Sequence, residues 1–390
     1  MWRMGGSSYD LHPMTTPQLS NDPGQQALYT LIQRSIANAG GWLGFDRFMA
    51  LALYAPGMGY YANSLRKFGL TPESGSDFAT APEMSKHFGR TLAHQVAEAL
   101  HVTSTDEVWE FGAGSGALAL QLLDSLGDSV KRYIIVDLSG SLRERQQETL
   151  KAHAHKVQWV DALPEQLSGV VVGNEVLDAM PVQLLVRNSG VWHERGVVWN
   201  ADAASPLQWE DRVTDLRPPM EVPGVHDYLT EIHSQAEAFV ATLADRFKAG
   251  EAATGKGGAA FLIDYGFPES EYFHPQRSMG TLMCHQLHKA DSDPLADVGR
   301  KDITAHVNFT GVALAAQDAG LNVLGYTTQA HFLINCGLLP PLVDAPMDEK
   351  SMAQKLITEH EMGELFKVVA FGTTEWEPMG FAQGDRTYAL

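Results

Sequence analysis

From about residue 106 the chain alternates short, unbroken apolar runs with segments in which apolar side chains recur every three or four positions. The runs at 107–111, 132–136, 157–160 and 169–173 show no apolar–polar alternation, as expected of strands buried on both faces of a parallel sheet. Between them Leu118, Leu122 and Leu126 recur at helical spacing, and 142–153 reads as a polar helix. The strand texture resumes at 259–263, 321–327 and 366–371, with a helix at 311–320. Ahead of this region Leu28, Leu31, Ile32 and Ile36 form one stripe, 45–54 continues it, and Phe88, Leu92, Val96 and Leu100 predict a helix over 83–100. Glycines and a proline break the pattern at 54–61, and a long loop spans 67–82.

Residues 183–249 interrupt the rhythm with β-rich and helical material, including a helix near 226–248, and 270–306 is polar and rich in His and Asp. The economical organisation has five parts. A flexible N-terminus (1–24) precedes a helical segment with its long loop (25–105) and the first half of an α/β core (106–182). An insertion (183–258) follows, and then the second core half (259–390), which carries its own inserted segment at 270–306. No internal repeat or low-complexity tract intervenes.

Composition narrows the partners. The 390 residues are 44% hydrophobic and 9% aromatic, enough for a sizeable core. A net charge of −19 disfavours nucleic acid and anionic membranes and suits a cationic partner or none. Cys284 and Cys336 cannot make a disulfide framework, so a reducing, cytoplasmic setting is expected. No stretch approaches the ~20 apolar residues of a membrane span. The first 23 residues hold one Arg and two Asp and no apolar stretch, so neither a signal peptide nor an Arg-rich transit peptide is expected there.

The strongest chemical signal is Glu110-Phe-Gly112-Ala-Gly114-Ser-Gly116 at a strand-to-helix turn. Glycines there let backbone N–H groups approach a ligand at a helix N-terminus. The spacing is G-x-G-x-G rather than the dinucleotide G-x-G-x-x-G. Glu110 would repel a pyrophosphate but suits the ammonium of an amino-acid-bearing cofactor, which favours S-adenosylmethionine over NAD. Asp137 ends the second strand, where an acid can accept both ribose hydroxyls, and Asp161 ends the third, near an adenine amino group. Either could instead cap a helix. Asn174, Glu175 and Asp178 follow the fourth strand and are candidates to hold a methyl acceptor; carboxylates pair with the donor fork of a guanidinium. Asp264 ends a further strand, so acids are expected to gather at one cleft. His285, His288 and His306 lie near Asp291, Asp293 and Asp297, but zinc-type spacing is absent and no metal is expected. There is no G-x-S-x-G and no Walker A sequence.

At these motifs the chain resembles the MidA-type S-adenosylmethionine-dependent methyltransferases, whose mitochondrial members are complex I assembly factors that methylate an arginine. The matching segments are Leu53-Tyr-Ala-Pro-Gly-Met-Gly-Tyr-Tyr61, Ser76-Asp-Phe-Ala-Thr-Ala-Pro-Glu83, the Glu110 to Gly116 turn and Gly173-Asn-Glu-Val-Leu-Asp-Ala-Met-Pro-Val182. Asp264-Tyr-Gly266, Asp302-Ile-Thr-Ala-His-Val-Asn-Phe309 and Met362-Gly-Glu-Leu-Phe-Lys367 follow in order. Ala113 departs from the family pattern, which usually has Pro there. The resemblance implies a Rossmann-like, seven-stranded class I methyltransferase core with a helical N-terminal cap and insertions. It implies that S-adenosyl-L-methionine sits on Gly112, Gly114, Gly116, Asp137, Leu138, Asp161 and Ala162, with the loop around Asp77, Phe78 and Thr80 folding over it. A protein substrate with an exposed arginine is the leading expectation. Methylation of a small-molecule oxygen or nitrogen, or cofactor binding in an assembly factor with little turnover, are the alternatives.

Overall fold

A mixed sheet organises the chain. In this computed structural model residues 22–63, 79–137 and 140–390 are described. The larger sheet contains β1 (Glu107–Phe111), β2 (Arg132–Val136), β3 (Val157–Val160), β4 (Gly169–Asn174), β5 (Gly258–Phe267), β6 (Asn322–Thr328) and β7 (Phe366–Gly372). Their spatial order is β6-β7-β5-β4-β1-β2-β3, and the short strand Val307–Asn308 pairs with the end of β5. Strands β1 to β5 are parallel, whereas β7 runs antiparallel to β5 and β6.

Successive side chains of a strand point to opposite faces. Val170 and Val172 therefore pack with Val108, Phe261 and Val368 on one side, while Val171 packs with Trp109, Leu262 and Val369 on the other. Both faces are covered, so the strands read as unbroken apolar runs. Helices Lys86–Val102, Ala117–Leu126 and Gln329–Asn335 lie on the first face; Ser234–Thr254 and Phe309–Asp318 lie on the second. Adjacent strands β1 and β4 are thus followed by helices on opposite faces, which opens a crevice at their carboxyl ends.

Two helix boundaries differ from expectation. The predicted 83–100 helix is split into Ala81–Met84 and Lys86–Val102 by Ser85, an extended residue whose hydroxyl accepts the His87 N–H at 3.2 Å. Ser offers the backbone this alternative bond and so favours caps. The helix predicted near 226–248 begins only at Ser234, because Tyr228–Ile232 is a strand paired with Gln183–Asn188. Gly255, at φ 69°, then ends the helix after Thr254.

A second, antiparallel sheet holds Leu43–Gly44, Gln183–Asn188, Val191–Trp199, Leu207–Val213 and Tyr228–Ile232. Helices Pro23–Asn38 and Phe45–Tyr54 share its core through Leu28, Phe45, Phe48, Leu184 and Val197. Residues 25–105 are therefore divided between two cores, since Lys86–Val102 belongs to the large sheet. Helix Ser234–Thr254 also packs on the large sheet and connects β4 to β5, within the stretch read as insertion. Within 270–306, strands Met283–Gln286, Lys289–Asp291 and Asp302–Thr304 form a small sheet, and Cys284 and Ile303 join the core beneath the N-terminal helices.

Candidate active site

A cavity of about 1270 Å³ lies at the carboxyl ends of β1 and β4. Gly112, Gly114 and Gly116 have φ of 64°, 52° and 85°, the left-handed region that favours glycine. The Gly116 N–H donates to Ala113 O at 2.7 Å and closes the turn. Gly112 and Gly114 line the cavity, but Gly116 does not. A Cβ on Gly116 would meet Gln146 and Thr149 of helix Gly140–Thr149 at 3.5 Å, an ordinary contact, so the third glycine is required by its φ rather than by space.

Glu110 is 2% exposed and accepts the Tyr133 hydroxyl at 2.7 Å. Burial pushes its carboxyl up to about 8; the Tyr133 bond opposes this and the Asp137 charge adds to it. Asp137 lines the same cavity, and its Oδ2 accepts from Gln146 Nε2 at 2.7 Å. That nitrogen also donates to Gly114 O at 3.1 Å, and Gln146 Oε1 accepts from Trp159 Nε1 at 2.9 Å. Gln146 is fully buried and ties the glycine turn, Asp137 and β3 together. Sequence reading passed over it because one polar residue in a polar helix carries no periodic signal.

Thr80 stands on the cavity wall, while Asp77, Phe78 and Leu138 lie outside the described residues. Asp161 and Ala162 are exposed and do not line the cavity. The Asp161 carboxylate instead pairs with Arg143, which also donates to Asp137 O at 3.2 Å. Asp161 therefore does not join the gathering of acids. Nor does Asp264, which is 0% exposed and stands behind the wall. Its Oδ2 accepts the N–H groups of Val176, Leu177 and Asp178 at 3.0, 2.8 and 3.2 Å. This carboxylate clamps the turn after β4 and holds Glu175 at φ 56°, a conformation a non-glycine residue adopts only when its surroundings impose it.

Asn174, Glu175 and Asp178 all line the cavity. Glu175 accepts from Asn174 Nδ2 at 2.8 Å and from the Ala81 backbone N–H. Burial pushes its carboxyl up to about 8, with Asp178 adding to the rise. Asp178 accepts the Tyr265 hydroxyl at 2.6 Å, and burial raises it to about 6. Asn174 Oδ1 and Asp178 Oδ1 are buried without a hydrogen-bond partner among the described residues. Tyr54, Tyr61, Tyr265, His285, Asp302 and His306 complete this end of the cavity, and none was singled out as a site residue. Five of them, all but His285, sit inside the family-like segments, which was the available signal. Burial lowers both histidines, His306 to about 4, so they stand neutral. Among the described residues no three His, Cys, Asp or Glu group closely enough to hold a metal ion, and no helix is long and apolar enough to cross a membrane.

A positive-φ glycine turn, a strand-end carboxylate and unpartnered buried oxygens make a site for a cationic, ribose-bearing cofactor. The family model for putative S-adenosyl-L-methionine-dependent methyltransferases matches residues 91–327, and the chain belongs to that family. Its cofactor is S-adenosylmethionine. A Burkholderia thailandensis crystal structure bound to S-adenosyl-homocysteine is 46% identical, with a TM-score of 0.87 over 94% of this chain and 97% of that one. A second structure from the same organism is 44% identical with a TM-score of 0.82, again over 94% and 97% of the chains. Among curated relatives, the mitochondrial protein arginine methyltransferase NDUFAF7 homolog of Caenorhabditis elegans is 25% identical, covering 87% of each chain. The Danio rerio protein arginine methyltransferase NDUFAF7 is 26% identical over 83% of this chain and 80% of its own.

Proposed function

We propose that this methyltransferase acts on an arginine side chain of a protein, on a seven-stranded class I core. The observation that carries the reading is the buried, acid-lined wall beside the glycine turn, where Glu175 and Asp178 stand with Asn174 Oδ1 and Asp178 Oδ1 unpartnered. Buried acids with unpartnered acceptor oxygens call for a donor-bearing guest, and a cationic one suits them best once Glu175 gives up its proton. A guanidinium presents a planar fork of donors that suits them. The naming of two relatives as protein arginine methyltransferases supports the same reading.

In this reading Gly112 and Gly114 let the backbone approach the cofactor, Asp137 accepts its ribose hydroxyls, and Glu110 faces its ammonium. Thr80 stands on the wall of the same cavity. When bound, S-adenosylmethionine supplies an electrophilic methyl group. Glu175 and Asp178 orient the guanidinium so that one nitrogen is in line, and they stabilise its charge as the carbon–nitrogen bond forms. Arrival of the cation displaces the proton that burial leaves on Glu175, and Glu175 takes up the proton the methylated nitrogen releases.

The test is transfer of labelled methyl to the proteins of a lysate from cells lacking this chain. Label on arginine that is lost with Glu175→Gln is the expected result. Label confined to small molecules would overturn the protein reading, and label on a residue other than arginine would overturn the guanidinium.

A further inference from the structure

The parts of the cavity wall outside the large sheet are fastened to the backbone carbonyls of the loop after β4. Ala305 N–H donates to Asp178 O at 2.9 Å, which fixes the strand Asp302–Thr304 beside that loop. The Tyr54 hydroxyl donates to Ala179 O at 2.8 Å, which fixes the end of the helix Phe45–Tyr54 against it. Between these anchors the Tyr54 and Tyr61 rings stack, with centroids 5.6 Å apart and planes 18° apart. The Tyr61 hydroxyl donates to both carboxylate oxygens of Asp302, at 2.9 and 2.8 Å, and Ile303 N–H donates to Oδ1 at 2.9 Å. Asp302 is only 3% exposed, yet it lines the cavity together with both tyrosines and Asp178.

We propose that Asp302 determines acceptor specificity. It takes the charged end of the methyl acceptor together with Asp178, while the stacked Tyr54 and Tyr61 rings flank the acceptor's apolar stem. The inference rests on the cationic acceptor argued above and adds the group that selects it. Three observations point the same way. Asp178, on the same wall, keeps an unpartnered Oδ1 and is itself 5% exposed, so a donor is called for at this end of the cavity. Tyr54 and Tyr61 are held as neutral phenols by burial and by the neighbouring Asp302 charge, so Tyr61 grips the carboxylate as a donor without contributing charge. Aromatic faces also attract a guanidinium, which stacks on them more readily than an ammonium does. The division of labour is physical: the glycine turn and Asp137 come from the large sheet, whereas Asp302, Tyr54 and Tyr61 come from segments packed on the other core.

The experiment measures labelled methyl transfer from S-adenosylmethionine into a dilution series of protein from a lysate of cells lacking this chain. Asp302→Asn should raise the half-saturating lysate concentration by roughly tenfold or more, the effect of losing one charge-assisted contact. The limiting rate should change less, and calorimetric affinity for S-adenosyl-homocysteine should stay within about twofold. Asp302→Glu should recover part of the loss, and Tyr61→Phe, which frees the carboxylate without removing it, should give a smaller rise. Label on arginine with half-saturation unchanged in Asp302→Asn would overturn this inference and leave the guanidinium acceptor standing. Label on another group fails the arginine reading; Asp302 is then judged on that acceptor, and an unchanged half-saturation overturns its role. Equal loss of S-adenosyl-homocysteine binding in Asp302→Asn and Tyr61→Phe would also overturn it, since the pair would then hold the fold or the cofactor.

Discussion

Glu110 stands where stability and cofactor binding pull in opposite directions, and Glu110→Gln separates them. The carboxyl is buried against Tyr133, and burial raises it from an ordinary 4.5 to about 8. Below pH 4.5 the folded and unfolded chains both hold the proton, so the group contributes nothing to the difference. As pH rises from 4.5 toward 8 the unfolded chain releases its proton while the folded chain keeps it, and stability falls. At ~1.4 kcal/mol per pH unit the full cost above pH 8 is on the order of 5 kcal/mol. Gln matches the protonated carboxyl in shape and can still accept from Tyr133, so it should remove this cost. Scanning calorimetry of the unliganded protein should show no change in Tm at pH 5 and a rise of several degrees at pH 9. Affinity for S-adenosyl-homocysteine should fall about 10- to 100-fold, because a charged hydrogen bond of about 1.5–3 kcal/mol is lost. A Tm difference that does not grow with pH would refute the buried-acid reasoning. Unchanged affinity would remove Glu110 from the ammonium.

Other perturbations test neighbouring parts of the site. Gly114→Val should abolish measurable S-adenosyl-homocysteine binding in calorimetry, since φ 52° is strained for a β-branched residue and the turn lines the cavity. Gln146→Ala removes the amide that joins Gly114 O, Asp137 and Trp159; affinity should drop about tenfold, and an intact affinity would show that Asp137 needs no support. Glu175 is raised to about 8, so a cation must displace its proton; half-saturation by the acceptor should improve from pH 6 to 8.5, and a flat profile over that range would refute the displaced proton. Asp264→Ala removes the acceptor of four backbone N–H groups and should lower stability by about 2–4 kcal/mol in urea unfolding, whereas a neutral effect would contradict the clamp.

Local pattern carried far into this molecule. Strands β1, β2, β4, β5 and β7 were legible because a strand buried on both faces is apolar at most positions, as at Val170, Val171 and Val172. The glycine turn was legible because positive φ is a demand on a single residue. Asp137, Asn174, Glu175 and Asp178 were legible because strand ends in such a sheet face the ligand crevice. Contacts between distant segments were not legible. Gln146, Tyr54, Tyr61 and Asp302 reach the site through pairings across long stretches of chain, such as Tyr61 with Asp302, and no spacing encodes those.

The acids make the distinction concrete. Composition alone showed an excess of negative charge, −19, and strand ends told where part of it stands. Only the tertiary structure sorted Glu110, Asp137, Glu175, Asp178 and Asp302 onto one cavity, turned Asp161 to Arg143 and buried Asp264 as a backbone clamp. The physical reason is that residue type and local periodicity determine which backbone shape a segment takes. Which carboxylate meets a ligand, an arginine or a row of amides depends on the packing of segments far apart in the chain.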